Sequence, residues 1–216
     1  MRTLVLPICG ESSRYNRVPK WNIEFHGKKM LEHSIWSLDT SMFDDILVIM
    51  PERDKDLDTF EFEHDTIYLP NQTKNQPETV YLGVYNRSGQ IIVKDCDNIF
   101  RTPILNDNFV SYYDIRLHKV NANNKSYIEV NEYGQVTNIV EKQVVSNFFC
   151  CGMYSFADAK QYCQYYENLA HFPQLFLSDI IFKMVMGNHV FYSMPATHYT
   201  DWGTQEDLDA YLGDDK

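Results

Sequence analysis

Residues 3–14 (TLVLPICGESSR) decide the fold of this chain, because a short apolar run leads directly into a loop rich in glycine and serine. Such a run is typical of a buried strand. Residues 29–38 follow with leucine and isoleucine on one face of a predicted helix, and residues 46–50 (ILVIM) predict a second buried strand. Strand, loop, helix and strand in this order predict the opening of a doubly wound α/β sheet.

The rest of the chain continues this alternation and then becomes rich in strands. Residues 66–69 and 91–94 predict further strands, and a polar turn over residues 71–77 leads into a helix over residues 78–85. Residues 109–156 predict an antiparallel lobe. The predicted fold class is therefore α/β, a Rossmann-like three-layer arrangement around a mixed sheet with a small antiparallel lobe. Later predicted elements are a strand over residues 190–194 and helices over residues 157–166, 178–186 and 206–212, with Asp158 and Ser178 as N-caps and Gly187 as a stop.

The composition favours a soluble globular protein and disfavours a nucleic-acid partner. Hydrophobic residues make up 44% of the chain, and 19 basic against 30 acidic residues give a net charge of −11 without any basic run. No apolar stretch approaches the roughly 20 residues that span a bilayer, so no membrane partner is expected. Five cysteines without a C-x-x-C pair predict reduced thiols in a cytoplasmic protein. The adjacent Cys150 and Cys151 are expected on opposite faces of a strand.

Three sites along the chain have residues suited to phosphate and metal chemistry. The Gly/Ser loop offers backbone N–H groups to phosphate oxygens, and Arg14 and Lys20 can neutralise their charge. Asp95 and Asp97 follow the strand over residues 91–94 and are predicted on one side of it, where they can bind Mg²⁺. Asp201 precedes a glycine whose bend aims it at a cleft, with Trp202 as a wall.

Each of these sites also has a purely structural interpretation. The Gly/Ser loop can be a simple connection, and either aspartate of the D-x-D segment can cap a turn. Residues 201–204 can start the last helix, and Glu141-Lys142 can be a surface ion pair. The histidines have no zinc-ligand spacing, and no Ser-His-Asp arrangement follows from the spacing, which disfavours a covalent hydrolase.

The order of these motifs resembles the sugar-1-phosphate nucleotidyltransferases, a family that includes the glucose-1-phosphate thymidylyltransferases, over nearly the whole chain. The phosphate loop of that family is similar to residues 9–15 (CGESSRY) followed by Pro19-Lys20. Five further collinear matches are residues 27–33 (GKKMLEH), residues 72–79 (QTKNQPET), residues 97–100 (DNIF), Glu141-Lys142 with residues 152–156 (GMYSF), and residues 201–204 (DWGT).

The resemblance implies a reaction and a set of site residues. The reaction is in-line attack of a phosphate monoester oxygen on the α-phosphorus of an NTP, with release of pyrophosphate, in the synthesis of surface polysaccharide. Asp97 and Asp201 would hold Mg²⁺, and Arg14 and Lys20 would act on the phosphates. The implied nucleotide contacts are Leu6, Pro7, Cys9, Gly10, Glu11, Ser12, Ser13, Arg14, Lys20, Gln72, Thr73, Asn75, Thr79 and Asp95. The implied acceptor contacts are Asn98, Glu141, Lys142, Asn147 and Gly152.

The same resemblance implies how the chain is divided. One domain over residues 1–216 would contain a nucleotide-binding half (1–108), an acceptor-binding part (109–200) and a metal motif with the last helix (201–216). Its partners would be an NTP and a small phosphate ester such as a sugar 1-phosphate, and a homo-oligomer is possible.

The chain departs from the family pattern in three places, and two other functions stay open. Ser12 stands at the second loop glycine, the spacer between Arg14 and Pro19 is short, and Asn75 replaces a glycine of the base-binding turn, where it would tolerate a positive φ. The D-x-D segment also fits a glycosyltransferase that uses a nucleotide sugar, although such an enzyme needs neither Lys20 nor Asp201. Ser12 also fits a non-catalytic nucleotide-binding homologue, although the charged positions are intact.

Overall fold

A mixed sheet of nine strands organises the computed structural model, which describes residues 1–10, 12, 15, 16, 18–117 and 120–214. The strands of the described residues are β1 (Arg2–Pro7), β2 (Glu24–Phe25), β3 (Lys28–Lys29), β4 (Asp45–Pro51), β5 (Asp65–Leu69), β6 (Gln90–Lys94), β7 (Asn98–Arg101), β8 (Phe109–Asp114), β9 (Ser126–Val130), β10 (Val136–Glu141), β11 (Phe148–Phe156), β12 (Tyr192–Pro195) and β13 (Thr197–Asp201). The helices are α1 (Met30–Trp36), α2 (Gln76–Val84), α3 (Ala159–Leu169), α4 (Leu177–Met186) and α5 (Gln205–Asp214).

The large sheet combines a parallel half and an antiparallel half, which confirms the predicted fold class. Its order is β10-β9-β11-β6-β1-β4-β5, and β8 pairs with both β11 and β12. Strands β6, β1, β4 and β5 are mutually parallel, whereas β11 runs antiparallel to β6. The antiparallel strands predicted as a lobe therefore continue the same sheet.

Alternating side chains of the buried strands pack on opposite faces and produce three layers. Val5 and Ile49 point into a core with α2, α3 and α4. Leu4 and Val48 point into a second core that contains Leu31 of α1. Cys150 and Cys151 of β11 lie in these two different cores, as predicted, and all five cysteines are buried and unpaired.

The starts of helices α2 and α4 differ from the sequence prediction because of how these helices are capped. Helix α2 begins at Gln76, since the side chain of Asn75 accepts a hydrogen bond from the Glu78 N–H at 2.9 Å. Asn75 has φ −160°, so it does not adopt the positive φ that asparagine would tolerate at this position. Ser178 is not a cap, because α4 begins one residue earlier and Asp179 accepts a hydrogen bond from the Phe176 N–H. Asp158 does cap α3, and Gly187 follows α4.

The C-terminal region contains a strand that the sequence did not predict. Strand β12 begins at Tyr192, two residues later than expected, and β13 follows it and pairs antiparallel with β7. None of the helices in the described part of the chain is both long and apolar enough to cross a membrane.

Candidate active site

A cavity of about 730 Å³ opens at the carboxyl ends of β1 and β6, where ligands bind in open α/β sheets. The start of α2, strands β9 to β11, the start of α4 and the end of β13 complete its lining. Most of the predicted site residues line it, namely Pro7, Gly10, Ser12, Lys20, Gln72, Thr73, Asn75, Thr79, Asp95, Asp97, Asn98, Glu141, Lys142, Gly152 and Asp201. The structure thus brings the three predicted groups of residues together.

Three of the predicted contacts that the structure describes do not lie in this lining. Leu6 and Cys9 are fully buried in the two cores, so their side chains do not face the cavity, and their contact with the nucleotide stays a prediction. Burial raises the pKa of the Cys9 thiol to about 12, and the thiol is therefore not a nucleophile. Asn147 is exposed and lies outside the cavity. The expectations for Glu11, Ser13 and Arg14 fall outside the described residues.

Asp97 forms the first charged pair of the site. Strand β6 ends at Lys94, so Asp95 and Asp97 occupy a turn and not the extended strand that was predicted. The Lys20 ammonium lies 2.5 Å from the Asp97 carboxylate. Burial favours the protonated form of Asp97, but attraction to Lys20, Lys125 and Lys94 outweighs it and holds the pKa of Asp97 well below its usual range. The carboxylate is therefore ionised at neutral pH.

Asp201 forms the second charged pair and reaches the first through strand pairing. The register of β13 on β7 sets Asp201 opposite Asn98, and the Trp202 N–H donates to the Asp97 carbonyl at 2.7 Å. Lys125 lies 2.5 Å from Asp201 Oδ2, and Asp201 Oδ1 accepts from the Gly203 N–H at 3.1 Å. The bend at Gly203 therefore aims Asp201 at the cavity, as predicted.

Trp202 does not form the predicted cavity wall. Its side chain is buried in a third core cluster with Phe25 and Leu208, where it contacts the Phe25 ring edge to face. The strand-to-helix corner is fixed from behind by Tyr15, whose hydroxyl donates to the carbonyls of Trp202 and Thr204. Trp202 thus anchors the corner that carries Asp201 and does not line the cavity.

Asp95 is held differently from the other two aspartates. Gln76 donates to Asp95 Oδ1 at 2.6 Å. Burial and the charge of Asp97 raise the pKa of Asp95. Gly152 has φ +89°, and a Cβ there would lie 2.5 Å from Asp95 Oδ2, so only glycine allows the carboxylate this position. Asp97 is therefore the better of the two D-x-D carboxylates for a metal.

Lys94 is a fully buried cation behind this turn. Its ammonium donates to the Asp95 carbonyl at 2.7 Å, to the Asn98 carbonyl at 3.0 Å and to Asn98 Oδ1 at 2.6 Å. It also lies 4.9 Å from the centroid of the Phe100 ring. Burial lowers the pKa of Lys94 to about 8. These three hydrogen bonds fix the backbone that presents Asp97.

The end of the cavity beside α4 combines a carboxylate, Glu141, with a further cation, Lys142. Glu141 Oε2 accepts hydrogen bonds from the hydroxyls of Ser126 and Ser178, the latter at 2.8 Å. Lys142 has φ +56° and its ammonium lies 4.4 Å from the centroid of the Phe176 ring. An ammonium on an aromatic face retains donors for an anion, so this end suits a polar ester with a phosphate group.

The end near α2 presents small polar groups. Thr73 and Thr79 share a hydrogen bond of 2.6 Å between their hydroxyls. Ser12 is left-handed, with φ +48°, and its hydroxyl accepts from the Lys20 N–H at 3.1 Å. This conformation fits the glycine expected at that position, and it places the Ser12 side chain against the Lys20 backbone.

Sequence reasoning missed Lys125, Lys94, Gln76, Ser126 and Ser178. Lys94 had a signal, since a lysine that ends a buried apolar strand requires a partner. Gln76 lay inside a quoted motif but without an assigned role. Lys125 had none, because its contact with Asp201 spans 76 residues.

The carboxylates fit a magnesium ion. Mg²⁺ is commonly bound by one or two carboxylates together with substrate phosphates and water, and Asp97 and Asp201 supply two ionisable oxygen donors at one edge of the cavity. The described residues contain no cluster of three His, Cys, Asp or Glu suited to a metal, so such an ion would depend on substrate oxygens.

Comparison with solved structures shows where this fold occurs. No protein-family model matches the chain. No curated protein matches it either. A nucleoside-diphosphate-sugar pyrophosphorylase from Vibrio cholerae RC9 superposes with a TM-score of 0.82 at 19% identity, over 97% of this chain and 99% of that one. An inositol-1-phosphate CTP transferase from T. maritima gives 0.80 at 17% identity, over 98% and 92%.

A third solved structure extends the similarity to the expected family. A putative glucose-1-phosphate thymidylyltransferase from Bacillus anthracis superposes with a TM-score of 0.75 at 17% identity, over 97% of this chain and 93% of that one. The match in fold runs along the whole length of each protein. The chain therefore has the fold of the nucleotidyltransferases that its motifs resemble.

Proposed function

We propose that the chain transfers a nucleoside monophosphate from an NTP to a small phosphate ester, such as a sugar 1-phosphate, and releases pyrophosphate. The observation that supports this most strongly is the pairing of β13 with β7, which sets Asp201 beside the Asp97 turn. Each of these aspartates has a lysine 2.5 Å away, in a cavity that extends to a further cation at Lys142. These aspartates and lysines supply opposite charges close together, which suits the binding of an NTP next to a phosphate ester.

The nucleotide is assigned to the end of the cavity between β1 and α2. Gln72, Thr73 and Thr79 offer amide and hydroxyl groups to a base and ribose, and Lys20 lies where the triphosphate would cross the end of β1. The Lys20 ammonium keeps its charge, because the attraction of Asp97 outweighs burial and raises the pKa of Lys20. It can therefore neutralise charge that develops on the leaving pyrophosphate.

The acceptor is assigned to the end beside α4. Lys142 would bind the ester phosphate and Glu141 would accept from its hydroxyl groups, and Gly152 allows close approach to Asp95 and Asn98. Asp97 and Asp201 would hold Mg²⁺, and the ion would supply charge neutralisation and orientation for the reacting phosphates. The protein groups then contribute position and electrostatics without a covalent intermediate. The product would serve the synthesis of a surface glycan.

The proposal is tested by a pyrophosphate-release assay. The common NTPs are crossed with a panel of sugar phosphates, alditol phosphates and amino-alcohol phosphates, in the presence of Mg²⁺. One combination should release pyrophosphate, and Asp97→Asn and Asp201→Asn should each abolish the release. Each variant should still show a thermal unfolding transition, which indicates that it is folded. Asp95→Asn is the matched control and should be milder, because Gln76 already engages that carboxylate.

Two outcomes would overturn the proposal. Turnover of a nucleotide sugar without pyrophosphate would indicate a glycosyltransferase, especially if Asp95→Asn is the more damaging variant. Near-normal release by Asp97→Asn or Asp201→Asn would remove the two-aspartate assignment.

A further inference from the structure

Both candidate metal ligands are already paired with lysines inside the cavity. Lys20 and Asp97 lie 2.5 Å apart with side-chain exposures of 28% and 14%, and Lys125 and Asp201 lie 2.5 Å apart with exposures of 15% and 12%. Pairs this well shielded from water interact more strongly than surface ion pairs. The four charges sum to zero.

Polar and aromatic contacts hold the Lys125 ammonium in its position. Its ammonium also donates to the Tyr199 hydroxyl at 2.9 Å, and it lies 5.5 Å from the centroid of the Tyr199 ring and 6.0 Å from that of Phe149. These contacts hold the ammonium against Asp201 Oδ2 at the cavity wall. A divalent cation that binds Asp201 Oδ2 would therefore compete with this ammonium for the carboxylate.

We infer that Lys20 and Lys125 are resident counter-ions of the metal-binding aspartates, which a divalent cation must displace before it binds. The inference rests on the proposed function, since substrate phosphates provide the new partners for the displaced ammonium groups. Without phosphate, a cation would enter a neutral site and leave two ammonium groups beside it. When nucleotide is bound, the negative charge of its phosphates stabilises the divalent cation as well as the displaced ammonium groups. Nucleotide and metal therefore bind cooperatively.

The direct test is a titration of the full-length protein with Mn²⁺ in the absence of nucleotide, followed by electron paramagnetic resonance. Lys125→Gln removes one counter-ion and should bind Mn²⁺ at least about tenfold more tightly than the wild type, a factor that corresponds to roughly 1.4 kcal/mol. Lys125→Arg keeps the charge and should match the wild type.

Two controls separate a local effect from a change in net charge. Lys74 lines the same cavity but lies near Glu78 (3.9 Å), so Lys74→Gln should leave the Mn²⁺ affinity within about twofold of the wild type. Adding Asp201→Asn to Lys125→Gln should remove the gain. If thermal unfolding shows that Lys125→Gln is not folded, Lys20→Gln with and without Asp97→Asn provides the same test at the other pair.

An Mn²⁺ affinity of Lys125→Gln within about twofold of both the wild type and Lys74→Gln would overturn the inference. So would an equal gain in Lys74→Gln. This result is distinct from failure of the proposed reaction, because pyrophosphate release by the wild type is measured without any lysine variant. If the wild type releases pyrophosphate and Lys125→Gln binds Mn²⁺ as the wild type does, only the counter-ion inference is rejected and the proposed function is retained.

Discussion

At the scale of single residues, the chain has the charged residues of the family motifs but has other residues at two glycine positions, Ser12 and Asn75. Ser12 shows how such a change is accommodated, because it adopts the left-handed conformation at the expected glycine and accepts a hydrogen bond from the Lys20 N–H. A left-handed non-glycine residue costs on the order of 1–3 kcal/mol. The hydrogen bond offsets part of that cost.

Ser12→Gly and Ser12→Ala should therefore behave differently. Both lose the hydrogen bond to Lys20, but only glycine relieves the left-handed strain, so Ser12→Gly should be the more stable of the two by about 1 kcal/mol. Urea unfolding measures the difference, and equal stabilities would contradict this account of the loop. Calorimetry with NTP is the second readout: a loss of more than about tenfold in Ser12→Gly would identify the hydroxyl as a nucleotide ligand.

Lys142 should distinguish the two substrates, because its ammonium lies beside Phe176 at the acceptor end of the cavity. Lys142→Ala should weaken binding of the phosphate ester by about 1.5–3 kcal/mol, the range for a hydrogen bond to a charged group, and leave NTP binding nearly unchanged. Calorimetry with each ligand alone measures this, with Lys74→Ala as a control that should spare the ester. An equal loss for NTP would show that the acceptor does not bind here.

At the scale of elements, the turn after β6 presents Asp97, and two features fix it from opposite sides. Lys94 donates three hydrogen bonds to it from the core, and Gly152 of β11 allows the Asp95 carboxylate to approach. The Gly152 contact is not visible in the turn sequence itself, because it depends on strand β11, which β6 acquires as a neighbour in the sheet. The partners of Lys94, in contrast, lie within four residues of it.

Gly152→Ala should cost more stability than the left-handed backbone alone explains. Gly134 has φ +73° and a Cβ there would meet its nearest neighbour only at 3.8 Å, whereas the Cβ at Gly152 would lie 2.5 Å from Asp95 Oδ2. Gly134→Ala should therefore lose about 1–2 kcal/mol, and Gly152→Ala clearly more. Urea unfolding of both variants is the measurement. Equal losses would show that Asp95 moves away without cost.

Lys94→Met should reveal the buried ammonium through the pH dependence of stability. The pKa of Lys94 is about 8 in the folded protein against a reference value of 10.5, so the unfolded chain binds more protons between these values. The free energy of unfolding of the wild type should therefore rise relative to that of Lys94→Met as the pH increases from 8 to 10, by an amount on the order of 1–3 kcal/mol. Urea unfolding across this range measures it. A wild-type free energy of unfolding that stays constant or falls relative to that of Lys94→Met would contradict the buried charge.

At the scale of the whole molecule, local pattern predicted the parallel half of the sheet, and collinear motifs predicted half of the described residues that line the cavity. Apolar runs mark β1, β4 and β6 because these strands are buried on both faces. Strand β13 escaped prediction, since its residues are largely exposed or half-buried and its pairing with β7 is non-local. Lys125 escaped for the same reason, because no local pattern encodes a contact with a residue 76 positions away.

The division into a nucleotide half and an acceptor part stays a prediction, as does the possible homo-oligomer. Both halves contribute strands to one sheet, and the cavity lies where they meet at β6 and β11. The reaction proposed for that cavity is attack of a phosphate ester on the α-phosphorus of an NTP.

The fate of phosphorus labels tests this claim most directly. The active NTP and phosphate ester are incubated with the protein, with ³²P at the α position in one reaction and at the γ position in another. The proposed reaction puts the α label in the nucleoside diphosphate ester product and the γ label in pyrophosphate, in equal amounts. Release of the γ label as inorganic phosphate, or its transfer to the ester, would contradict it.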